Sequence, residues 1–454
     1  MNEARTWFLP RELEERARGG PSPLLISELA AKLWAARKRA LARRPVAEIV
    51  ALVDATVESW LAPESPWMAE AVRRIAAGTP YCEAMVRTGL TALLAGCRKD
   101  SLLALVAEEF GDPEVLDGFR SRRAASGQHR AIGPGLITWI FSGNVPGLPA
   151  IGMIQSLLLK AACLGKPASE EPVFPALFAR SIAAQDPAVA GAIAIVPWTG
   201  GDHTVENAAF GLSDAVVAYG SDAAVAAVRA RVPAAARFVG HGHKLSFAVI
   251  GREALTLGGA DALADRLAYD VSLFDQQGCV SAHLVYVERG GEISPTGFAE
   301  RLAVAMASFE HAMPRGRVST AETAAIQQAR TAVEMQELRG EPARLFASQG
   351  GTAWTVTYDE APAFQPSCLN RVVAVKALAD LSDLPSLLKP VSRHLQTVGV
   401  AMDDARRARV AETLAPLGVC RVCRIGDMPH PPLTWHHDGG NGLLPLVRWI
   451  GIEG

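Results

Sequence analysis

Through roughly the first hundred positions, apolar residues recur at three- and four-residue intervals, which predicts amphipathic helices over 24–43, 67–95 and 101–109. Nothing in that helical opening looks chemical. From about Ile132 the pattern changes to short apolar runs alternating with helical stretches, at 136–141, 161–164, 192–196 and 215–219. Strands buried on both faces read as such runs, so a parallel sheet covered by helices is expected. A second alternating region holds strand patterns at 245–250, 283–287 and 371–375. The fold class is therefore α/β.

The uncharged stretch 136–159 is long enough to cross a bilayer. Its centre, Ser142-Gly143-Asn144-Val145-Pro146-Gly147-Leu148-Pro149, breaks a helix where lipid tolerates it least. A buried strand, a tight loop and a buried helix are expected instead, with no membrane insertion.

Composition narrows the class. With 454 residues, 49% apolar, 20% charged and a formal net charge of −2, the chain reads as a globular protein of two or three domains, without a basic patch for nucleic acid. Seven cysteines, an odd number spread thinly, argue for a reducing compartment and a cytoplasmic placement. The first twelve residues turn charged at once and lack the apolar core of a secretion signal.

The candidate chemistry centres on Cys279. It lies in Phe274-Asp275-Gln276-Gln277-Gly278-Cys279, a polar turn running into an apolar strand, where a nucleophilic thiol would be displayed. A buried structural cysteine is the ordinary alternative. In open α/β sheets ligands bind at the carboxyl ends of strands, and four such ends are marked. They are Ser142-Gly143-Asn144, Gly165-Lys166-Pro167-Ala168-Ser169, Trp198-Thr199-Gly200-Gly201-Asp202 and Gly220-Ser221-Asp222. The last two lead into helix starts whose N–H groups suit a pyrophosphate, and Lys166 adds a positive charge or a ribose hydrogen bond. Each alone also reads as an ordinary turn or N-cap, and none contains G-x-G-x-x-G.

Taken together and in this order, these segments resemble the aldehyde dehydrogenase superfamily from about Ile132 onward. Asn144 matches its strand-end asparagine, Lys166-Pro167 its adenosine-ribose lysine motif, Gly220-Ser221 its pyrophosphate turn and Cys279 its nucleophile. Within the superfamily, Asp275-Gln276-Gln277-Gly278-Cys279 and Trp435-His436-His437-Asp438-Gly439 are similar to the acyl-CoA reductase branch, which includes the LuxC-type subunit of the bacterial luminescence fatty-acid reductase. The resemblance implies a Rossmann-type cofactor domain, an α/β catalytic domain carrying the cysteine, and a small oligomerisation element. The implied boundaries are 1–118 for a helical part of the cofactor domain, 119–132 for an oligomerisation hairpin, 133–241 for nucleotide binding, 242–415 for catalysis, and 416–454 for a segment returning to the active site and subunit interface. The C-terminal strand pattern at 446–452 then implies pairing with a neighbouring subunit, hence a homo-oligomer.

One departure is informative. Where the superfamily has the glutamate that activates water on the covalent thioester, this sequence has Gly240. Loss of that base suits a reductase, which must keep its acyl group from water. The implied mechanism has Cys279 attack an acyl-CoA, or an acyl group brought by a synthetase or transferase partner. Asn144 and the Cys279 N–H stabilise the oxyanion, and NADPH delivers hydride to release the aldehyde. Thr199, Gly200, Gly220 and Ser221 are the remaining candidate cofactor residues. NADPH is preferred over NADH because Ser169 stands where NAD-preferring members carry a glutamate, although Glu170 is one position away. The superfamily's Glu-Glu-x-Phe-Gly-Pro motif has no match near Pro366-Ser367-Cys368.

His436 and His437 are candidates for an active-site acid or base near the thiol, favouring its ionised form. A metal site built from them with His241 and His243 is not expected, because the spacing matches no zinc signature and the pairs lie far apart in sequence. Cys420-Arg421-Val422-Cys423 reads as structural thiols in a strand. Two alternatives stay open: an aldehyde oxidiser that recruits its base from elsewhere, and a non-catalytic subunit that docks an acyl-transfer partner.

Overall fold

The computed structural model describes residues 6–17, 19–122 and 126–454. An all-helical opening precedes the first strand, its longest members being the helices Pro23–Ala40 and Val46–Leu61. Ser22 and Ser65 cap helices that begin with proline, each side-chain oxygen accepting a backbone N–H three residues on. The predicted span 67–95 is two helices, Pro66–Gly78 and Glu83–Ala95, and Val46–Leu61 lay outside the sequence prediction.

An antiparallel pair of β1 (Arg120–Ser121) and β2 (Gln128–Ile132) follows, and residues 123–125 lie outside the described residues. Five strands then build one sheet: β3 (Leu136–Ile140), β4 (Ala162–Lys166), β5 (Ile193–Ile195), β6 (Ala215–Tyr219) and β7 (Arg237–His241). The order is β5-β4-β3-β6-β7 with every pair parallel, so the direction of winding reverses between β3 and β6. That switch point is where an open sheet leaves a crevice at its carboxyl ends. The stretch 136–159 resolves into β3, a loop and the buried helix Pro149–Leu158, and among the described residues no helix is long and apolar enough to cross a membrane.

The second sheet has seven strands: β8 (Leu245–Ile250), β9 (Ala282–Glu288), β10 (Ala343–Ala347), β11 (Thr355–Asp359), β12 (Val372–Leu378), β13 (Leu395–Ala401) and β14 (Arg421–Arg424). Their order is β10-β11-β12-β9-β8-β13-β14, parallel except for β10 against β11. Two registers slip near one end: β9 carries an extra residue opposite Ser246–Ala248, and β13 carries one between Leu395 and Val398. Such bulges bend a strand and re-aim its side chains.

The last strand, β15 (Arg448–Ile452), pairs antiparallel with β2 of its own chain, where the sequence resemblance implies a neighbour's sheet. The 119–132 hairpin and the C-terminus thus close a three-stranded sheet within one chain. The apolar core of the first sheet also takes in Leu273 and Phe274 from the cysteine turn and Leu443, Leu446 and Val447 from the C-terminal segment, so both reach across from the second sheet.

Candidate active site

Cys279 lies three residues ahead of β9, between the amino ends of β8, β13 and β14 and the carboxyl ends of β6 and β7. Its carbonyl accepts the Ser246 hydroxyl at 2.7 Å from the start of β8. The turn before it is conformationally costly. Phe274, Asp275 and Gln276 all have positive φ, as do Leu369, Asn370 and Arg371 just ahead of β12. Left-handed backbone at a residue with a side chain costs of order 1 kcal/mol or more and persists only where its surroundings enforce it.

Here each turn enforces the other. The Asp275 carboxylate accepts from Arg371 Nε at 2.9 Å, and the Asn370 N–H donates to the Asp275 carbonyl. The Gln276 amide donates to the carbonyls of Ala282 and Val372 and accepts the Val372 N–H. Gln277 reaches the Asn370 side chain at 3.2 Å. Each polar side chain of the Asp-Gln-Gln run therefore has a structural partner ahead of β9 or β12. Arg371, fully buried, is also held by Glu310 and the Met313 carbonyl.

Asn144, exposed in the loop after β3, donates from Nδ2 to the Gln277 carbonyl at 2.7 Å, which brings it to the cysteine turn. Its own carbonyl accepts the Tyr81 hydroxyl at 2.7 Å, and Tyr81 packs edge-on against Phe274. The helical opening, read from sequence as chemically silent, thus supports this loop.

Gln396, Asp438 and His241 complete the surroundings of the thiol, and sequence reasoning gave none of them a role there. Gln396 is fully buried at the β13 bulge. Its Nε2 donates to Asp438 Oδ1 at 2.6 Å. Asp438 Oδ2 lies 2.8 Å from His241 Nδ1 at the end of β7. Asp438 has φ 55, a conformation that aspartate tolerates better than most residues, and the following Gly439 and Gly440 mark the turn. That composition was the available signal in the Trp435-His436-His437-Asp438-Gly439 motif.

The electrostatics oppose an imidazolium-activated thiol. Burial, and after it the Asp438 carboxylate, push the Cys279 thiol up to about 11, while the nearby Gln396 amide pulls it down. The residue keeps some accessible surface, but its sulfur is desolvated. Burial and neighbouring His241 push His437 down to about 4, which leaves it neutral. Asp438 is held at about 2, burial opposing its hydrogen bond from His241 and the nearby imidazoles. The expected imidazolium beside the thiol is thus not what the electrostatics favour at His437, and the charged neighbour of the thiol is the Asp438 carboxylate. His436, the other candidate, is exposed in the turn.

The structure also brings His241 and His437 together despite their separation in sequence. With Asp438 they offer three ligand atoms within 4.8 Å of one another. The rings stack at 4.2 Å with an interplanar angle of 9°, so their in-plane lone pairs run parallel and do not converge on one ion. This is the geometry of a stack, continued by Tyr219 against His241 at 4.5 Å and Trp435 against His437 at 4.8 Å. His243 faces His394 instead. Cys420 is close enough to disfavour the Cys279 thiolate, and Cys423 lies in β14; both are free thiols.

At the carboxyl ends of β4 and β5, away from the thiol, a cleft of about 1610 Å³ is lined by Pro167, Ala168, Ser169, Trp198, Thr199 and the arm 6–11. Phe8 of that arm bridges to Ile195 of β5. Ser169 faces this cleft, whereas Glu170 is not among its lining residues. Lys166 is nearly buried, its ammonium about 4 Å from the position a Gly200 side chain would take, and burial lowers its pKa. Ser142 Oγ and Trp198 Nε1, beyond the ends of β3 and β5 on either side of β4, are buried without a hydrogen-bond partner, which fits a polar ligand. Gly220 donates to the His241 carbonyl, and Ser221 caps the helix Asp222–Arg229 through Ala224 N.

Comparison with known proteins identifies the family and the fold. The family model described as acyl-CoA reductase (LuxC) matches residues 41–449. A long-chain acyl-protein thioester reductase 2 of Photobacterium leiognathi is 23% identical over 370 residues, covering 79% of this chain and 72% of that protein. A long-chain acyl-protein thioester reductase of Aliivibrio fischeri is 25% identical over 361 residues, covering 79% and 71%. Among solved structures, aldehyde dehydrogenase 21 of Physcomitrella patens superposes with TM-score 0.73 at 14% identity, covering 95% of this chain and 90% of its own. A NAD-dependent benzaldehyde dehydrogenase of Corynebacterium glutamicum gives 0.66 at 16%, with the same coverage. Two sheets meeting at a cysteine turn are thus the aldehyde dehydrogenase fold, and the chain belongs to the acyl-CoA reductase (LuxC) family.

Proposed function

We propose that this protein reduces an activated acyl group, carried as an acyl-CoA or an acyl-protein thioester, to the aldehyde with NADPH through an acyl thioester on Cys279. Family membership and the names of the relatives support acyl reduction as the chemistry. The observation that carries the direction of reaction is Gly240. The glutamate that serves hydrolysis in aldehyde dehydrogenases is missing there, and a Cβ in its place would lie 2.6 Å from Val225 Cγ1 and 2.9 Å from Phe238, so a side chain would have to displace both.

In this reading Cys279 is the nucleophile. One Asn144 N–H remains for the substrate oxygen beside the Cys279 N–H, because the other is committed to Gln277. Lys166, Ser169, Thr199, Gly200, Gly220 and Ser221 would hold the dinucleotide, and the orphaned Ser142 and Trp198 groups are further polar contacts for it. Bound there, a reduced nicotinamide supplies hydride. Ser169 facing the cleft favours a 2′-phosphate, since no carboxylate at that position repels it.

A second reading, aldehyde oxidation, has one observation in its favour: the His241–Asp438 pair is a base from elsewhere in the chain. The deciding experiment measures NADPH consumption and trapped aldehyde with a panel of acyl-CoA thioesters, for the wild type and Cys279→Ala. Aldehyde from the wild type alone is expected. Steady NAD(P)⁺ reduction by aldehydes and water, without a thiol acceptor, would overturn the reductive reading.

A further inference from the structure

Cys279 must lose a proton to attack, and the thiol that leaves the substrate must gain one. Around the sulfur the structure gathers a polar cluster: Ser246 Oγ, which donates to the Cys279 carbonyl at 2.7 Å, accepts the N–H of Thr397 beside Gln396, Gln396 Nε2 donates to Asp438 Oδ1 at 2.6 Å, and Asp438 Oδ2 lies 2.8 Å from His241 Nδ1. The His241 ring lies against Tyr219 at 4.5 Å and His437 at 4.2 Å, and Nδ1 is taken by the carboxylate. Among the described residues nothing hydrogen-bonds to its Nε2. A carboxylate bound to one imidazole nitrogen fixes the tautomer and supports the imidazolium that forms when the other takes a proton.

Resting on the acyl-thioester reading above, we infer that His241, oriented by Asp438, is the proton carrier of the acyl-transfer step, with Gln396 and Asp438 as positioning residues. The Cys279 S–H bond breaks and its proton passes to His241 Nε2 as sulfur bonds to the acyl carbon. The acyl carbon's bond to the donor sulfur then breaks, its electron pair stays on that sulfur, and the sulfur takes the proton back from His241. The products are acyl-Cys279 and a free thiol, with no net proton and no change in oxidation state. The donor this step fits is a thioester with a poorly acidic leaving thiol, such as a pantetheine or cysteine thiol, for which protonation on departure matters most.

The charged and titratable groups around the carrier come from four segments: Tyr219 at the end of β6; Lys244, 3.9 Å from Asp438, before β8; Cys279; and the C-terminal elements with Cys420, His437 and Asp438. The test is acylation of Cys279 by an acyl-CoA without any nicotinamide, timed by intact-protein mass across pH. It compares the wild type with His241→Gln, Asp438→Asn and His243→Gln. His241→Gln is expected to slow acylation by about 10²-fold at neutral pH, with the deficit closing toward pH 10 as thiolate forms unaided. Asp438→Asn, whose asparagine also tolerates the left-handed conformation, should show a smaller deficit of the same shape, and His243→Gln none.

Equal rates and equal pH profiles for His241→Gln and wild type overturn the carrier role while leaving the reductase reading intact. So does a deficit that does not shrink with pH, which marks a structural effect. A wild type whose Cys279 is not acylated by any thioester, acyl-CoA or acyl-protein, instead overturns the reading on which the inference rests.

Discussion

A thiol held at about 11 is a poor nucleophile at rest, with on the order of one in ten thousand ionised at pH 7. Burial, the first cause, is relieved or deepened by whatever enters the site, so reactivity in the free protein and in the complex will differ. Iodoacetamide alkylation of Cys279 in the free protein, followed by peptide mass, is expected to accelerate about tenfold per pH unit between 7 and 10. Gln396→Ala, which removes the donor that lowers this pKa, should slow it further at each pH. A rate that levels off below pH 9 would contradict the burial. Cys279 and Asn144 were legible in the sequence because each stands in a short motif. Gln396 was not, because only the extra residue in β13 turns it toward a cysteine more than a hundred positions earlier.

At the scale of elements, the strands β3 to β6, β8 and β9 were legible because both faces are buried and their sequences are nearly all apolar. β13 hides Gln396, Thr397 and Gly399 within a buried strand, and β7 is an edge strand with no fully buried residue, so neither shows an apolar run. The two left-handed turns had little sequence signal: neither uses glycine at the positive-φ positions, and only Asp275 and Asn370 among them are residues that favour that conformation. Gly89 ties the helical opening to the first of them. A Cβ on it would stand 2.0 Å from Phe274 Cζ, in the ring that Tyr81 packs against. In a free helix Gly89→Ala would stabilise by about 1 kcal/mol. Here overpacking is expected to outweigh that gain, lowering stability by about 1–3 kcal/mol and slowing acylation of Cys279. A raised melting temperature with unchanged acylation would show that Phe274 is free to move.

For the whole molecule, the resemblance implies a homo-oligomer, and the surface offers one place suited to it. β15 is the outer strand of its sheet, exposed along its length, and presents Trp449, Ile450 and Ile452. An edge strand with apolar side chains and unpaired N–H and C=O groups invites another strand. Light scattering during size exclusion should report more than one chain for the wild type and a shift toward the monomer for Ile450→Asp with Ile452→Asp. A monomeric wild type would refute this. The interlocked turns also constrain time. Asp275 and Arg371 are 96 positions apart, so neither turn can be held left-handed until β9 and β12 have paired across that interval. The cysteine's surroundings therefore form late as the chain folds. Until then its thiol titrates like that of any flexible peptide, at about 8.5, and is more easily oxidised than in the finished enzyme. Folding in this chain thus ends by quieting the group to which the proposed chemistry is assigned.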